Sequence, residues 1–258
     1  MNKTTMPGDL WIASDIHLGP AVPRTASAFY DFLALARGQA RALILCGDIF
    51  DAWIGDDHAL RNPPPWLDQA LRELRLTAQA IPLRLASGNR DFLMGPALAR
   101  ALDAQLLEAP VRLDTAAGPI LLAHGDEYCT DDTGYQRFRR IVHTPWVQSA
   151  FLALPLRWRR AIADWARARS RQSRHGKSMR IMDVNPDAIR RALRSAGCAT
   201  LIHGHTHRPA VHELDLDGRP ARRWVLPDWE FDHVQPGRGG WISVDAQGVH
   251  LHVWPPAP

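Results

Sequence analysis

Five short apolar runs, LWIAS, ALILC, LRLAS, PILLA and TLI, each stop at a polar cluster. The clusters are DIH at 15–17, GDIFD at 47–51, GNRD at 88–91, HGD at 124–126 and HGHTH at 203–207. Helical patterns near 25–38 and 66–80 separate the first three runs, an alternation that predicts βαβ units with a mostly parallel sheet. Ligands of such sheets sit beyond the carboxyl ends of the strands, so the first three runs deliver polar side chains to one edge. From 133 to 182 the pattern turns helical and basic. A further helix follows, with Asn185 as its N-cap, Pro186 in its first turn and Gly197 as its stop. The tail from about 210 reads as antiparallel strands of a second sheet.

The cluster GHTH carries two histidines two positions apart. On a regular strand such residues point the same way, so His205 and His207 are expected to converge on one object. A metal ion is the candidate, because neutral imidazole is the commonest side-chain ligand; a polar turn is the alternative. Thiolates do not compete for that role. Cys46, Cys129 and Cys198 are few, odd in number and widely spaced, against a disulfide framework or a CxxC zinc site and in keeping with a reducing cytoplasm.

The N-terminal stretch lacks the apolar core of a signal peptide before it reaches Asp15. The longest apolar stretch, WVQSAFLALPLRW, is interrupted by Pro155 and falls short of the roughly 20 residues that span a bilayer. With 258 residues, 46% hydrophobic and 22% charged, the chain can bury a large core and is not disordered. Its formal charge of +4 is unevenly spread: residues 137–180 hold twelve Arg or Lys against the single acid Asp164, a local +11 against −7 elsewhere.

In their order along the chain, the five clusters resemble those of the calcineurin-like metallophosphoesterase superfamily. GDIFDAWIGDD, SGNRDFL, HGDEYCTDDTGYQRFR, ALPLRWRRAIADWARARS, KSMRIMDVNPDAI and LIHGHTHRPAVHEL narrow the resemblance to the UDP-2,3-diacylglucosamine diphosphatases of lipid A biosynthesis, over most of residues 10–214. The resemblance implies one α/β domain over 1–258, a four-layer αββα sandwich with an inserted helical cap at 133–182. It also implies two ions, one held by Asp15, His17, Asp48 and His207 and the other by Asp48, Asn89, His124 and His205, with Asp48 bridging. Carboxylate, amide and imidazole donors suit Mn²⁺, the family's precedent, with iron and zinc as alternatives. Asp51 reads as a structural carboxylate rather than a ligand, Asp91 and Asp126 as groups that orient ligands, and His203 as a buried neighbour.

Many members of the superfamily place a histidine after the asparagine; here the residue is Arg90, which cannot donate a proton near neutral pH. An arginine suits a diphosphate, whose phosphate leaving group needs little protonation and whose transferring oxygens gain from a guanidinium. Arg90 and Asp48 are therefore the expected catalytic pair. Substrate contacts carried over from the family fall on Asn89, Arg90, Asp132, Ser170, Arg174, Lys177 and His205. The implied substrate is a lipid-linked nucleotide sugar, cleaved to UMP and a diacylated sugar phosphate. Trp146, Phe151, Leu152, Leu154, Trp158 and Trp165 of the cap could hold acyl chains, or simply pack on the core, while its arginines meet phosphates or anionic headgroups. This implies a cytoplasmic enzyme lodged peripherally on the inner membrane, without nucleic acid and with no protein partner indicated. A soluble nucleotide diphosphatase, and a nucleic-acid binder using the basic segment, are the rival readings.

Overall fold

In the computed structural model, which describes residues 2–6, 8–174 and 183–254, the apolar runs become strands whose successive side chains enter different cores. The elements are β1 (Asn2–Met6), β2 (Leu10–Ala13), α1 (Pro23–Gln39), β3 (Ala42–Cys46), α2 (Asp56–Arg61), α3 (Pro65–Ala80), β4 (Leu83–Ala86), α4 (Pro96–Leu102), β5 (Gln105–Leu107), β6 (Val111–Thr115) and β7 (Gly118–Leu122). They continue with α5 (Thr133–Val142), α6 (Pro145–Leu152), α7 (Leu156–Arg174), α8 (Pro186–Ala196), β8 (Thr200–His203), β9 (Ala210–Leu216), β10 (Arg219–Val225), β11 (Gly239–Asp245) and β12 (Gly248–Trp254). Pro23, Pro65, Pro96, Pro145 and Pro186 each open a helix, where a missing N–H costs nothing. The caps of α8 are those expected: the Asn185 side chain accepts from the amides of Asp187 and Ala188, and Gly197 closes the helix at φ 62°.

Two six-stranded sheets face each other, in the orders β1-β6-β7-β8-β10-β9 and β12-β11-β2-β3-β4-β5. The period of two explains the layering. Leu10, Ile12, Ala42 and Ile44 of one sheet and Ile120, Leu122 and Ile202 of the other point inward and meet between the sheets. Trp11, Leu43 and Leu45 point outward onto α1, α3 and α4, while Leu121 and Leu201 point outward onto α8. Helices on both outer faces complete four layers, αββα.

One expectation needs correction. The tail strands do not build the second sheet: β9 and β10 extend the sheet that holds β7 and β8, whereas β11 and β12 extend the other beside β2. The first three polar clusters do follow neighbouring strands of one sheet, β2, β3 and β4, and the last two follow β7 and β8 of its partner. The short elements β1, β5, α2 and α4 carry too few residues to show a period in the sequence.

Under α1, Phe32 is fully buried and stacks among Trp11, Phe29, Trp229, Trp241 and Trp254, rings drawn from both ends of the chain. Truncating it leaves a cavity that its aromatic neighbours can fill only in part. Phe32→Ala should lower unfolding stability by about 3–5 kcal/mol, read from the denaturant midpoint. A loss below about 1 kcal/mol would mean that this cluster is not a packed core.

Candidate metal centre

The ends of β2, β3 and β4 from one sheet meet the ends of β7 and β8 from the other, which brings five of the expected ligands together. Asp15, His17 and His207 form one group whose donor atoms all lie within 4.8 Å of one another; Asp15, Asp48 and His124 form a second. The Oδ2 of Asp48 lies 3.9 Å from His17 Nε2 and its Oδ1 lies 3.6 Å from His124 Nε2, so its two oxygens reach both groups. Asn89 Oδ1 stands 3.3 Å from His124 Nε2, and the His205 ring centroid is 5.3 Å from that of His124. The histidines of GHTH therefore do not converge on one point by strand alternation. β8 ends at His203, and His207 turns toward His17 while His205 turns toward His124.

The local backbone makes this possible at a cost. Asp15, His17, Asp48, His205 and His207 all have positive φ, between 52° and 65°, a region that non-glycine residues seldom occupy. Each such residue costs on the order of 1–3 kcal/mol and persists only where its surroundings impose it. The glycines beside these residues allow the loops to touch. A Cβ on Gly204 would come within 2.1 Å of Asp15 Oδ2, and one on Gly88 within 2.3 Å of Asp48 Oδ1. This is why three of the clusters read GD, GN and GH.

Around these groups runs a set of hydrogen bonds that orients them. Asp91 is buried and accepts from the amides of Asp48, Ile49, Phe50 and Gly88, clamping the GD loop to the GN loop. It orients the expected ligand Asp48 through the backbone amide. His124 donates from Nδ1 to the carbonyl of Cys46 at 3.1 Å, which leaves Nε2 to face Asp48. Asp126 departs from expectation: it accepts from the Tyr135 hydroxyl and from Arg139 Nε, each at 2.6 Å, and so ties α5 to the core. His203 is fully buried, as expected. The carboxylate missed in the sequence is Asp228, 3.3 Å from His207 Nδ1 and paired with Arg238 at 2.7 Å. Its signal was present, because Asp228 follows a strand-like run, WVL, just as the other clusters do.

Burial lowers the imidazoles of His17 and His205 to about 3, so both are neutral near pH 7. Burial also acts against charge on His124 and His207, but there carboxylates win. Asp48, Asp15 and Asp126 lift His124 to about 9, and hydrogen bonds to Asp15 and Asp228 lift His207 to about 10. Burial pushes Asp48 up to about 7 against the pull of His124. Asp15 is driven well below the usual carboxylate range, its burial outweighed by His207, His124 and His17. The buried carboxylates thus hold protons on two imidazoles, positive charge whose place a cation can take. The donor set fits a divalent ion, with oxygen and neutral or displaceable imidazole donors and no thiolate.

Proton and cation compete for the same two nitrogens. Because His124 and His207 are raised, they keep their protons until the pH rises through about 9 and 10, so below that window a cation must displace them. Titration of a divalent ion into the protein near neutral pH should release protons, and its apparent affinity should rise with pH. Binding without proton release, or affinity that falls as pH rises, would contradict this.

Above the site, the cap helices leave apolar side chains in solvent. α5 and α6 bury none of their residues, and Trp146, Trp158 and Trp165 are 73%, 55% and 63% exposed. Packing on the core therefore does not account for these rings. Arg159 does anchor the cap: it is buried and bonds the Ile54 and Leu154 carbonyls and the Asp57 carboxylate. Arg90 places its backbone N–H on Asp48 Oδ1 at 2.8 Å and its guanidinium 3.8 Å from Asp51, which stands in neither donor group. Asp132 caps α5, accepting from the Tyr135 amide at 3.0 Å. Lys177 and the side chains of Ser170 and Arg174 lie outside the described residues.

A family model described as calcineurin-like phosphoesterase matches residues 9–209. The chain is 55% identical over 249 residues to the UDP-2,3-diacylglucosamine hydrolase of Bordetella parapertussis, an alignment covering 96% of each protein. It is 46% identical to the UDP-2,3-diacylglucosamine hydrolase of Serratia proteamaculans, over 95% of this chain and 98% of that one. The chain belongs to the calcineurin-like phosphoesterase family and, within it, to the family of the UDP-2,3-diacylglucosamine hydrolases.

Proposed function

We propose that this protein hydrolyses the diphosphate of UDP-2,3-diacylglucosamine by water attack on the uridine-linked α-phosphorus, giving UMP and 2,3-diacylglucosamine 1-phosphate (lipid X) in lipid A biosynthesis. The observation that carries the reading is identity of 55% over nearly the whole chain with a hydrolase of that name. The neighbouring donor groups at one buried point agree with it. Incubation of the purified protein and Mn²⁺ with UDP-2,3-diacylglucosamine, with products identified by mass, tests it directly.

The proposed ligands are Asp15, His17, Asp48 and His207 for one Mn²⁺ and Asp48, Asn89, His124 and His205 for the other. Asp48 is favoured as the bridge because each of its oxygens faces a different histidine. Asp15 stands in both donor groups, but its oxygens are already engaged by the His205 amide and the Ser14 hydroxyl. When bound, a pair of ions supplies Lewis acidity that lowers the pKa of water and neutralises phosphate oxygens. The chain's own residues do the rest. Arg90 extends its guanidinium from a backbone fixed on Asp48, toward the transferring phosphoryl oxygens. The leaving sugar phosphate departs without a proton, which is why an arginine suffices where a monoesterase needs an acid. Asp132, Ser170, Arg174 and Lys177 are the proposed contacts to sugar and phosphate, joined by Asn89 and His205.

The exposed Trp and Leu side chains of the cap suit acyl chains, and the arginines among them suit anionic headgroups. Arg157 and Arg169 each sit 5.8 Å over a Trp ring, a pairing of charge and apolar face typical of side chains at a membrane interface. Among the described residues no helix is long and apolar enough to cross a membrane. Peripheral attachment to the cytoplasmic face of the inner membrane is therefore the proposed location.

Asp48→Ala should abolish turnover and reduce bound metal, measured on the purified variant by elemental analysis and product formation. A fully active variant retaining two ions would refute the bridging assignment. The diacylated substrate should be cleaved far more efficiently than UDP-glucosamine without chains, since each buried methylene contributes roughly 0.8 kcal/mol. Flotation with anionic liposomes should weaken as salt rises. Equal efficiency on the two substrates would favour a soluble nucleotide diphosphatase instead.

A further inference from the structure

We infer that Asp51 is a positioning residue that aims the Arg90 guanidinium and couples it to the cap through Arg167, an inference that rests on the role proposed above for Arg90. Three observations converge on it. The Arg90 backbone is held at both ends, its N–H on Asp48 and its carbonyl accepting from the Trp53 amide at 3.1 Å. That fixes where the side chain starts but not where it ends. The guanidinium is mostly buried, and its Nε is among the buried polar atoms left without a hydrogen-bond partner among the described residues. Asp51, 3.8 Å from Nη1, is the carboxylate paired with it.

The second carboxylate oxygen of Asp51 accepts from Arg167 Nη1 at 2.7 Å, and Arg167 projects from α7. Asp51 is itself held, its amide donating to the Leu18 carbonyl at 3.0 Å within the loop that carries the ligand Asp48. One carboxylate on a fixed loop thus faces two guanidiniums, one beside the metal centre and one on the cap. Its side chain is 39% exposed, and ion pairs so exposed add little to stability. The pair is better suited to geometry than to folding: it keeps Arg90 from swinging out, and any movement of α7 reaches Arg90 through the shared carboxylate. Among the described residues the other ion pair between α7 and the core, Arg159 with Asp57, has no such neighbour and serves as an anchor.

The test is a double-mutant cycle on hydrolysis of UDP-2,3-diacylglucosamine, with metal content and thermal midpoint measured in parallel. Asp51→Asn should lower kcat about tenfold with KM, metal content and midpoint little changed, because misplacing one transition-state contact slows the chemical step. Asp51→Glu, which keeps the charge, should recover most of the rate. In an Arg90→Ala background, Asp51→Asn should cost less than about twofold, since coupled residues are not additive. An undiminished tenfold loss in that background, or a normal kcat in Asp51→Asn alone, would overturn the inference. Full activity of Arg90→Ala would overturn the role of Arg90 itself, a distinct result.

Amide exchange in Leu156–Arg174 supplies a readout that needs no substrate. It should rise equally in Asp51→Asn and Arg167→Gln, and no further in the double variant. Unchanged exchange in both would dispose of the link to the cap.

Discussion

Taking a carboxylate out of water costs several kcal/mol unless positive charge and hydrogen bonds replace the solvent, and this fold buries Asp15 and Asp48 at a single point. Everything close to that point answers to it. Two imidazoles, His124 and His207, are drawn toward the protonated state, while two others, His17 and His205, are buried neutral. Backbone amides of Arg90 and His205 donate onto the two carboxylates. Five of the proposed ligands sit in left-handed backbone and are held against their own preference. What holds them is the packing of two sheets and three apolar clusters, together with the buried clamp of Asp91. The same carboxylates draw positive charge, as protons or as a cation, to the point where they are buried.

The cap follows a different physical rule. Its helices bury little, and carboxylates join it to the core: Asp126 takes Tyr135 and Arg139, Asp57 takes Arg159, and Asp51 takes Arg167. Elements joined by few contacts and little apolar burial open at lower free energy than the sheets beneath them. A rigid centre beneath a loosely held apolar cover suits a substrate with a polar diphosphate at one end and long chains at the other. The basic residues that concentrate in the cap leave the rest of the chain net negative, so its positive charge is local.

Much of this was legible in the residues themselves. Strand period, proline and glycine placement and the order of five polar clusters pointed to βαβ units, the capped helix α8 and the ligand candidates, because those signals are local and repeat along the chain, while the four-layer sandwich was what the resemblance implied. The resemblance in DIH, GDIFD, GNRD, HGD and GHTH pointed to the family, and Arg90 to a diphosphate rather than a monoester. What only the tertiary structure decided depends on contacts between distant segments. It split the tail strands between two sheets, gave Asp126 partners on α5, brought Asp228 to His207, and turned His205 and His207 toward different neighbours. Apart from the strand-like run ahead of Asp228, none of these could be read locally, because strand alternation stops where the strand stops. Beyond β8, side-chain direction is set by left-handed backbone that the opposing loops impose, and that constraint exists only when both sheets are in place.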